Sequence, residues 1–368
     1  MRCSIFKNTF ITLLGTLTFS TLCVSQDRYS VTDVGSLTGA STVAHKINAS
    51  GHAAGTSGQR DGGGAHATIW NHNTQTLRPS SVLDDSDYSE AASINNRDEM
   101  AGVCNTPSNM RAVFWSSNGE IRELGALPGD NSSRALGIND QSKVVGLSSG
   151  PDGQRAFLWT AKNGMEALTL PPGTKSSEAH GINNKEQIVG DFRGSEGTHA
   201  FLWTPKVGAE DLGVIPGYQT SKATGINDSG EVVGSSSGPT GTRAFIWTPK
   251  DGLQPISDVP ATELSEALDI NNRGQVVGTY EGSLGNRAFL WSQRGGFVDL
   301  NSLLPTGSGL VLTMATSIND QGQILAIGMA HPDITADRKM DQDEANELHG
   351  VDVHSFLLTP KSAFSDRN

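Results

Sequence analysis

The segment Ala223-Thr224-Gly225-Ile226-Asn227, followed by Val232-Val233-Gly234, is one copy of a pattern that recurs along the chain. Its Ile-Asn dipeptide occurs seven times, and successive asparagines are 47, 44, 44, 44, 44 and 48 residues apart. These asparagines are Asn48, Asn95, Asn139, Asn183, Asn227, Asn271 and Asn319. Such a period indicates a repeat architecture, in which each unit buries its apolar faces against its neighbours.

Each unit contains four short apolar segments separated by turn residues. The third segment reads Arg/His-Ala-Phe-x-Trp in its clearest copies, such as Arg243-Ala244-Phe245-Ile246-Trp247, and Ala209–Gly213 typifies the fourth. Turns such as Asn227-Asp228-Ser229-Gly230 are short enough for hairpins, because glycine accepts positive φ at little cost. Four strands in about 44 residues is the size of one β-propeller blade.

All tryptophans of the chain occupy one position of the repeat, and Leu358 takes that position in the seventh unit. They are Trp70, Trp115, Trp159, Trp203, Trp247 and Trp291. Because both faces of a blade strand pack against neighbouring blades, we expect Trp159, Trp203 and Trp247 to be buried and equivalent.

The two ends of the chain predict how the repeats are arranged. The last repeat lacks its fourth segment, yet a lone segment of that type, Tyr29–Gly35, opens the chain after its first residues. Ring closure removes the exposed strand edges that an open stack would leave. The sequence therefore predicts an all-β, seven-bladed β-propeller with about four strands per blade, in which residues 29–36 pair antiparallel with 354–359 and complete the last blade.

Composition supports this fold and excludes some functions. The chain has 43 glycines among 368 residues, with 36% hydrophobic and 18% charged residues, which suits short strands and turns rather than helical bundles. It contains 27 basic and 39 acidic residues, whereas nucleic-acid binders normally present a basic face. We therefore expect no nucleic-acid partner.

Residues 1–25 have the pattern of a secretory signal, with cleavage expected after Ser25. Arg2 and Lys7 precede a short apolar run, Phe10–Phe19, which is too short to span a membrane. Residues 26–368 then form one propeller domain, expected to be a monomer with no membrane span, secreted or located in the periplasm or at the cell surface. Cys104 is the one cysteine of this domain, and we expect it to be a buried residue rather than a reactive thiol.

These repeats resemble the HAF-repeat family of probable extracellular bacterial repeat proteins. The name reflects a His-Ala-Phe triplet, present here as His199-Ala200-Phe201, and the Gly-Ile-Asn, Val-Val-Gly and Ala-Phe-x-Trp signatures extend the resemblance over residues 29–360. Repeats one, two and seven depart from Val-Val-Gly, with Ala53-Ala54-Gly55, Met100-Ala101-Gly102 and Ile324-Leu325-Ala326. The resemblance implies the fold and an extracytoplasmic location, and it implies no activity.

Residues that repeat in every blade are expected to be structural. The basic residue that opens the third segment is expected to pack its stem along the blade and pair its head, although a ring of cations that grips an anionic glycan is the alternative. These residues are His66, Arg111, Arg155, His199, Arg243, Arg287 and His354. The repeated asparagines are expected to bond the backbone of their own turns.

Residues that break the repeat are better functional candidates. The loops between segments two and three, and between four and one, vary most and share one face, where ligands are expected. The candidate ligand-binding residues there are Arg60, Asp61, Tyr88, Asp191, Arg193, Tyr218, Tyr280 and Glu281. An insertion at about 327–353 in the last repeat is interpreted as a solvated loop, with a lid or cation site as the alternative.

The sequence favours a non-catalytic binding module for a glycan, a component of the cell envelope or a protein. The alternative is a polysaccharide-acting hydrolase or lyase with its site at the channel mouth, and a scaffold for assembly is a third hypothesis. No His-Glu-x-x-His motif and no P-loop is present, so neither a metal nor a cofactor is expected.

Overall fold

The computed structural model describes residues 28–37, 39, 41–58, 64–260, 264–283, 285–330 and 354–361. The expected signal at 1–25, the candidates Arg60 and Asp61, and most of the insertion at 327–353 lie outside the described residues.

The described residues form seven sheets of four antiparallel strands, one sheet per sequence repeat. Strand β1 (Tyr29–Asp33) comes first, and blade 1 then contains β2 (Thr42–Ile47), β3 (Ala53–Gly58), β4 (Ala65–Asn71) and β5 (Thr76–Pro79). Blade 2 contains β6 (Ser89–Ile94), β7 (Met100–Asn105), β8 (Met110–Trp115) and β9 (Ile121–Gly125). Blade 3 contains β10 (Ser132–Ile138), β11 (Val144–Gly150), β12 (Gly153–Thr160) and β13 (Gly164–Ala167). Blade 4 contains β14 (Ser176–Ile182), β15 (Ile188–Arg193), β16 (Thr198–Thr204) and β17 (Gly208–Gly213).

The remaining blades follow the same order. Blade 5 contains β18 (Thr220–Ile226), β19 (Val232–Gly238), β20 (Gly241–Thr248) and β21 (Gly252–Pro255). Blade 6 contains β22 (Ser265–Ile270), β23 (Gln275–Gly282), β24 (Gly285–Ser292) and β25 (Gly296–Asp299), and a 3-10 turn (Leu300–Leu303) follows it. Blade 7 contains β26 (Leu310–Ile318), β27 (Ile324–Ala330) and β28 (His354–Pro360).

The first strand closes the ring as the sequence predicts. Blade 7 has the strand order β1-β28-β27-β26, and β1 pairs antiparallel with β28 from Tyr29 opposite Pro360 to Asp33 opposite Phe356. The Asp33 carboxylate lies 3.0 Å from His354 Nδ1 and accepts from Gly35 N at 2.7 Å. The seven-bladed propeller, with four antiparallel strands per blade, is confirmed.

The glycine of each Val-Val-Gly segment is required by a close backbone approach. A Cβ atom at Gly146, Gly190 or Gly234 would lie 1.9 to 2.0 Å from a carbonyl oxygen of the innermost strand of the same blade. Any larger residue would therefore push the two innermost strands apart.

The core lies between the blades and is built from the repeated aromatic residues. Phe157, Phe201, Phe245 and Phe289 are fully buried. Five of the tryptophans are also buried, with exposures from 1% to 8%, but Trp203 is only half-buried. The expectation that Trp159, Trp203 and Trp247 are equivalent is therefore wrong at Trp203.

The exception has a cross-strand cause. The residue opposite Trp203 on the fourth strand is Ala209, whereas the other five tryptophans face Leu, Ile, Met, Leu or Phe at the equivalent position. A methyl group covers less of an indole ring than these larger side chains do.

The antiparallel order gives the ring two different faces. Turns between strands one and two and between strands three and four lie on one side, here called the turn face, and the other connections lie on the opposite loop face. Cys104 is fully buried, as expected. Within the described residues, no helix is long and apolar enough to cross a membrane.

Candidate functional site

The innermost strands of the seven blades surround a central channel that contains a cavity of about 310 Å³. Its lining comes from the C-terminal half of each innermost strand and from the two residues that follow each repeated Ile. The same repeat positions therefore face one another around the channel, and four of the five positions contribute all seven residues to the lining.

The repeated asparagines form a closed ring of hydrogen bonds, here called the asparagine ring. Each side-chain Nδ2 donates to the backbone carbonyl of the equivalent asparagine in the next blade, at 2.9 to 3.1 Å. These bonds run from Asn48 to Asn95, Asn139, Asn183, Asn227, Asn271 and Asn319, and from Asn319 back to Asn48. These seven side-chain hydrogen bonds thus link each blade to the next around the whole ring.

Each asparagine of this ring also organises its own turn, as the sequence predicts. Asn183 Oδ1, for example, accepts from Lys185 N at 3.0 Å and from Gln187 N at 2.9 Å. The inter-blade bond was not predicted, although the invariance of one amide residue at a fixed period is the signal that would have indicated it.

The next residue of each turn forms the channel rim, composed of Ala49, Asn96, Asp140, Asn184, Asp228, Asn272 and Asp320. Six of the seven rim residues, all except Asp320, donate a backbone N–H to the side-chain Oδ1 of the next rim residue, at 2.8 to 3.0 Å. Amide and carboxylate residues alternate from Asn96 to Asp320, and Ala49 interrupts the alternation. In the described parts of the chain, no Lys or Arg forms a salt bridge with the rim carboxylates.

Every innermost strand has a register irregularity at the same place, next to the asparagine ring. Such a bulge leaves one residue of the strand unpaired and re-aims its side chain. The seven bulge residues all line the cavity, and they are His45, Ala92, Leu136, His180, Thr224, Leu268 and Thr316.

The two bulge threonines are engaged in holding blades together. Thr224 Oγ1 donates to Ala267 O at 2.7 Å, and Thr316 Oγ1 donates to Ala44 O at 2.9 Å. The remaining polar bulge residues are two histidines, His45 in blade 1 and His180 in blade 4.

His180 is oriented by a buried carboxylate on the neighbouring strand of its own blade. Its Nε2 lies 2.8 Å from Asp191 Oδ1, and the Asp191 residue is 7% exposed. No other described residue hydrogen-bonds the His180 ring, and a quarter of that side chain (24%) is exposed. His180 lines the cavity, and its Nδ1 has no hydrogen-bond partner among the described residues.

His45 has a different environment. Its Nε2 lies 3.4 Å from Thr56 Oγ1 and 3.9 Å from Glu90 Oε1. Burial lowers the pKa of His45 below its usual value, and the Glu90 charge opposes that effect. At neutral pH this imidazole is therefore uncharged.

Toward the loop face, the innermost strands carry alternating charge. The position five residues before each asparagine of the ring is occupied, in blades 2 to 6, by Glu90, Arg134, Glu178, Lys222 and Glu266. Tyr88 Oη donates to Glu90 Oε2 at 2.7 Å. Burial, and then the bond to Glu90, raise the pKa of Tyr88 to about 12, with Arg134 opposing the shift.

An ion pair joins three blades inside the channel. Lys46 Nζ lies 2.6 Å from Asp269 Oδ1, and Asp269 also accepts from Ser317 Oγ, Ile318 N and Ile270 N at 2.7, 2.9 and 3.0 Å. Among the described residues that line the cavity, Lys46 is the only Lys or Arg. The one cation of the cavity lining is thus engaged by a buried carboxylate.

The predicted ligand-binding residues do not converge on one place. Tyr88 and Asp191 contact channel groups, as described above. Arg193 and Glu281 are exposed at strand ends near the loop face, and Tyr218 is half-buried against the core between blades 4 and 5. Tyr280 is a core residue, whose Oη donates to Asp299 Oδ2 at 3.1 Å. Their role in binding stays a prediction.

The repeated basic residues are paired, which confirms the structural interpretation where partners are seen. The pairs, at 2.9 to 3.0 Å, are Arg111 with Glu123, Arg155 with Asp130, His199 with Asp211 and His354 with Asp33. Arg243 instead donates to Pro260 O at 3.2 Å. These heads do not form a free ring of cations.

Two Gly-x-Ser-x-Gly sequences resemble a nucleophile motif but have a structural role. They lie at 146–150 and 234–238, within β11 and β19 rather than at a strand-to-helix turn. Ser148 and Ser236 are fully buried, and they accept from Leu127 N and Ile215 N. Among the residues that the structure describes, no group of three or more His, Cys, Asp or Glu side chains is placed to hold a metal ion.

Comparison with known proteins identifies the fold more clearly than the family. A family model described as "Protein of unknown function (DUF3466)" matches residues 192–346. A search of the curated proteins found no match.

Several solved structures share the architecture. A streptogramin B lyase is 10% identical with a TM-score of 0.56, and the match covers 91% of this chain and 98% of that one. The virginiamycin B lyase from Staphylococcus aureus is 11% identical with a TM-score of 0.54, covering 90% and 100%. The β-propeller domain of the Trilobed protease from Pyrococcus furiosus, described as having an open velcro topology, is 11% identical with a TM-score of 0.53, covering 82% and 91%. At these identities the likeness shows the fold alone.

Proposed function

We propose that this chain is an exported binding propeller whose central channel takes a glycan of the cell envelope or its surroundings. The observation that carries the proposal is the bulge position of the innermost strands. The backbone there is the same in all seven blades, and the flanking Ala and Asn residues repeat, yet the bulge side chains are His, Ala, Leu, His, Thr, Leu and Thr. Because the bulge side chains differ while the surrounding residues repeat, they give the cavity a lining that is specific to this chain.

The chemistry of the cavity suits a polar ligand. Its lining contains ten asparagines and two histidines, beside the seven repeated isoleucines and two leucines. Hydroxyl groups of sugars match such hydrogen-bonding surfaces, and binding sites commonly occur in the mouths of closed β-structures. The rim residues lie in the turns between strands one and two, so this cavity is at the turn face and not at the loop face where the sequence favours ligands.

The proposed location rests on the sequence. Residues 1–25 have the pattern of an export signal, and the repeats resemble a family of extracellular proteins. Detection of the mature chain outside the cytoplasm, with an N-terminus after Ser25, would support this part of the proposal, and a cytoplasmic full-length chain would contradict it.

A glycan array with the purified mature protein tests the proposed binding, and calorimetry on each positive glycan gives its affinity. We expect Leu268→Phe to weaken binding, because the larger side chain would occupy the cavity. Val207→Phe is the matched control, since Val207 lies in an exposed turn at 77% exposure. Equal affinity of both variants for a bound glycan would place the ligand elsewhere.

A second candidate function is a hydrolase or lyase acting on a polysaccharide. The observation that favours it is the contact of His180 with buried Asp191, because a carboxylate that orients an imidazole is a recurring acid–base arrangement. Two of the propellers with this fold are named as lyases. Product analysis of each glycan that binds distinguishes turnover from binding.

A further inference from the structure

We propose that His180, held as a hydrogen-bond acceptor by Asp191, makes the channel selective for uncharged, hydroxyl-bearing glycans over their acidic counterparts. This inference rests on the proposed function and adds the class of glycan and the residue that selects it.

The first step concerns the tautomer of His180. Asp191 Oδ1 lies 2.8 Å from His180 Nε2, and an ionised carboxylate only accepts hydrogen bonds. The proton of a neutral imidazole therefore resides on Nε2, and Nδ1 keeps a lone pair. In the neutral ring, Nδ1 is thus an acceptor available to a ligand group that donates, such as a hydroxyl.

The second step concerns the amide donors of the asparagine ring. Six of these asparagines direct Nδ2 to two acceptors, namely the next ring carbonyl and a nearby side-chain oxygen. The side-chain acceptors are those of Asp98, Glu99, Gln187, Glu231, Gln275 and Gln323. An amide nitrogen has two protons, so these groups have no donor left for a ligand.

The third step concerns charge. Lys46 is engaged by Asp269, and Arg134 and Lys222 stand between three glutamates on neighbouring strands. A ligand carboxylate in the cavity would lose its hydration and find few free donors, since among the ring amides only Asn139 Nδ2 bonds a single described acceptor, and this is costly. A neutral sugar presents hydroxyl donors to the same acceptors and carries no such cost.

Three matched pairs of probes test this selectivity by calorimetry at neutral pH. Oligomers of glucose, galactose and mannose are each compared with the corresponding uronic acid oligomers, which carry a carboxylate in place of the C6 hydroxymethyl group. We expect the uncharged member to bind at least tenfold more tightly in any pair that binds. Equal or tighter binding of the acidic member overturns this inference and leaves the proposed function standing. An absence of binding in all three pairs and on the glycan array overturns both.

A second experiment tests His180 through Asp191→Asn. An asparagine amide that donates to Nε2 moves the imidazole proton to Nδ1, as replacement of the aspartate in a serine-protease triad does. We expect the affinity for the uncharged glycan to fall about tenfold, which corresponds to one hydrogen bond, and the preference over the acidic probe to shrink. Asp211→Asn is the matched control, because Asp211 pairs with His199 at 2.9 Å on the outer side of the same blade.

Nitrogen-15 NMR of the unmodified protein gives a readout that does not depend on any variant folding. The His180 ring signals, assigned by their loss in His180→Gln, should show the proton on Nε2. A proton on Nδ1 in the unmodified protein would overturn the proposal, whatever the binding data show.

Discussion

Lys46 of blade 1 and Asp269 of blade 6 form an ion pair of 2.6 Å. Blade 7 lies between these two blades, and its Ser317 donates a hydrogen bond to Asp269. The Asp269 side chain is 4% exposed and that of Lys46 is 36% exposed. We expect Asp269→Ala to cost about 3–5 kcal/mol in the free energy of unfolding, because Lys46 and three other donors lose their acceptor. Lys46→Met should cost less, about 1–2 kcal/mol, because the buried Asp269 carboxylate keeps its three other hydrogen-bond donors. Urea unfolding measures both, and equal costs would contradict this account.

The asparagine ring gives a second prediction. Asn183→Ala leaves two backbone N–H groups of its turn without an acceptor and removes the inter-blade bond to Asn227 O, which keeps its bond from Gly230 N. Fully buried unpaired groups cost about 1–3 kcal/mol each, and these two are partly buried, so we expect a loss of about 2 kcal/mol. Asn184→Ala is the control, because Asn184 is the exposed neighbour on the rim, and it should cost less than about 1 kcal/mol. A similar loss for both variants would show that the ring contributes little.

Ring closure is tested by deleting residues 26–37. This removes β1, exposes the edge of β28 and removes Tyr29, which is 2% exposed. We expect the cooperative melt to be lost, because every blade depends on packing against both neighbours. Ser30→Ala, at an exposed position of the same strand, should leave the melt unchanged. A truncated protein that melts within a degree or two of the full chain would contradict closure by β1.

The partial exposure of Trp203 predicts a stabilising substitution. Ala209→Leu restores the large cross-strand neighbour that the other tryptophans have, and it should raise stability by about 0.5–1 kcal/mol. Val207→Leu, in the adjacent exposed turn, is the control and should change stability little. Tryptophan fluorescence gives a second measure, since added cover should shift the Trp203 emission to shorter wavelength. An unchanged spectrum would mean that the leucine does not cover the indole.

Alkaline pH is expected to destabilise the ring through three tyrosines. Burial is the largest cause that raises the pKa of Tyr29, Tyr88 and Tyr280 to about 12, from 10.0. Because the folded state holds these protons more tightly, their contribution to stability is complete below pH 10 and is lost as the pH rises through about 12. Tyrosinate absorbance should therefore appear together with unfolding. Reversible ionisation of these groups near pH 10 in the folded protein would contradict the burial effect.

The fold could be predicted from the sequence because every blade has the same packing requirements. Each Ala-Phe-x-Trp strand must be covered on both faces, and each Val-Val-Gly glycine must admit a close carbonyl, so the same residues return at the same spacing. The strand that closes the ring was also predictable, since Tyr29–Gly35 has no partner within its own unit.

The channel was less predictable, because its contacts join residues of different blades. Lys46 and Asp269 are separated by 223 positions, and only the closed ring brings them together. A signal was nevertheless present: the other blades have Gly or Ser at this repeat position, and these two residues carry opposite charges. The bulges left no such signal, since they follow from backbone register rather than from residue type.

The alternation along the channel rim makes a pair of blades, rather than one blade, the repeating unit from blade 2 to blade 7. Asn96, Asn184 and Asn272 are 88 residues apart, as are Glu90, Glu178 and Glu266 deeper in the channel, so blades 2 to 7 read as three pairs. Seven is an odd number, and blade 1, with Ala49 on the rim, is the member without a mate. A perfectly sevenfold ring would offer a bound molecule seven indistinguishable rotations. Blade 1 therefore breaks the rotational symmetry of the channel, so a bound molecule can have one preferred orientation about the channel axis.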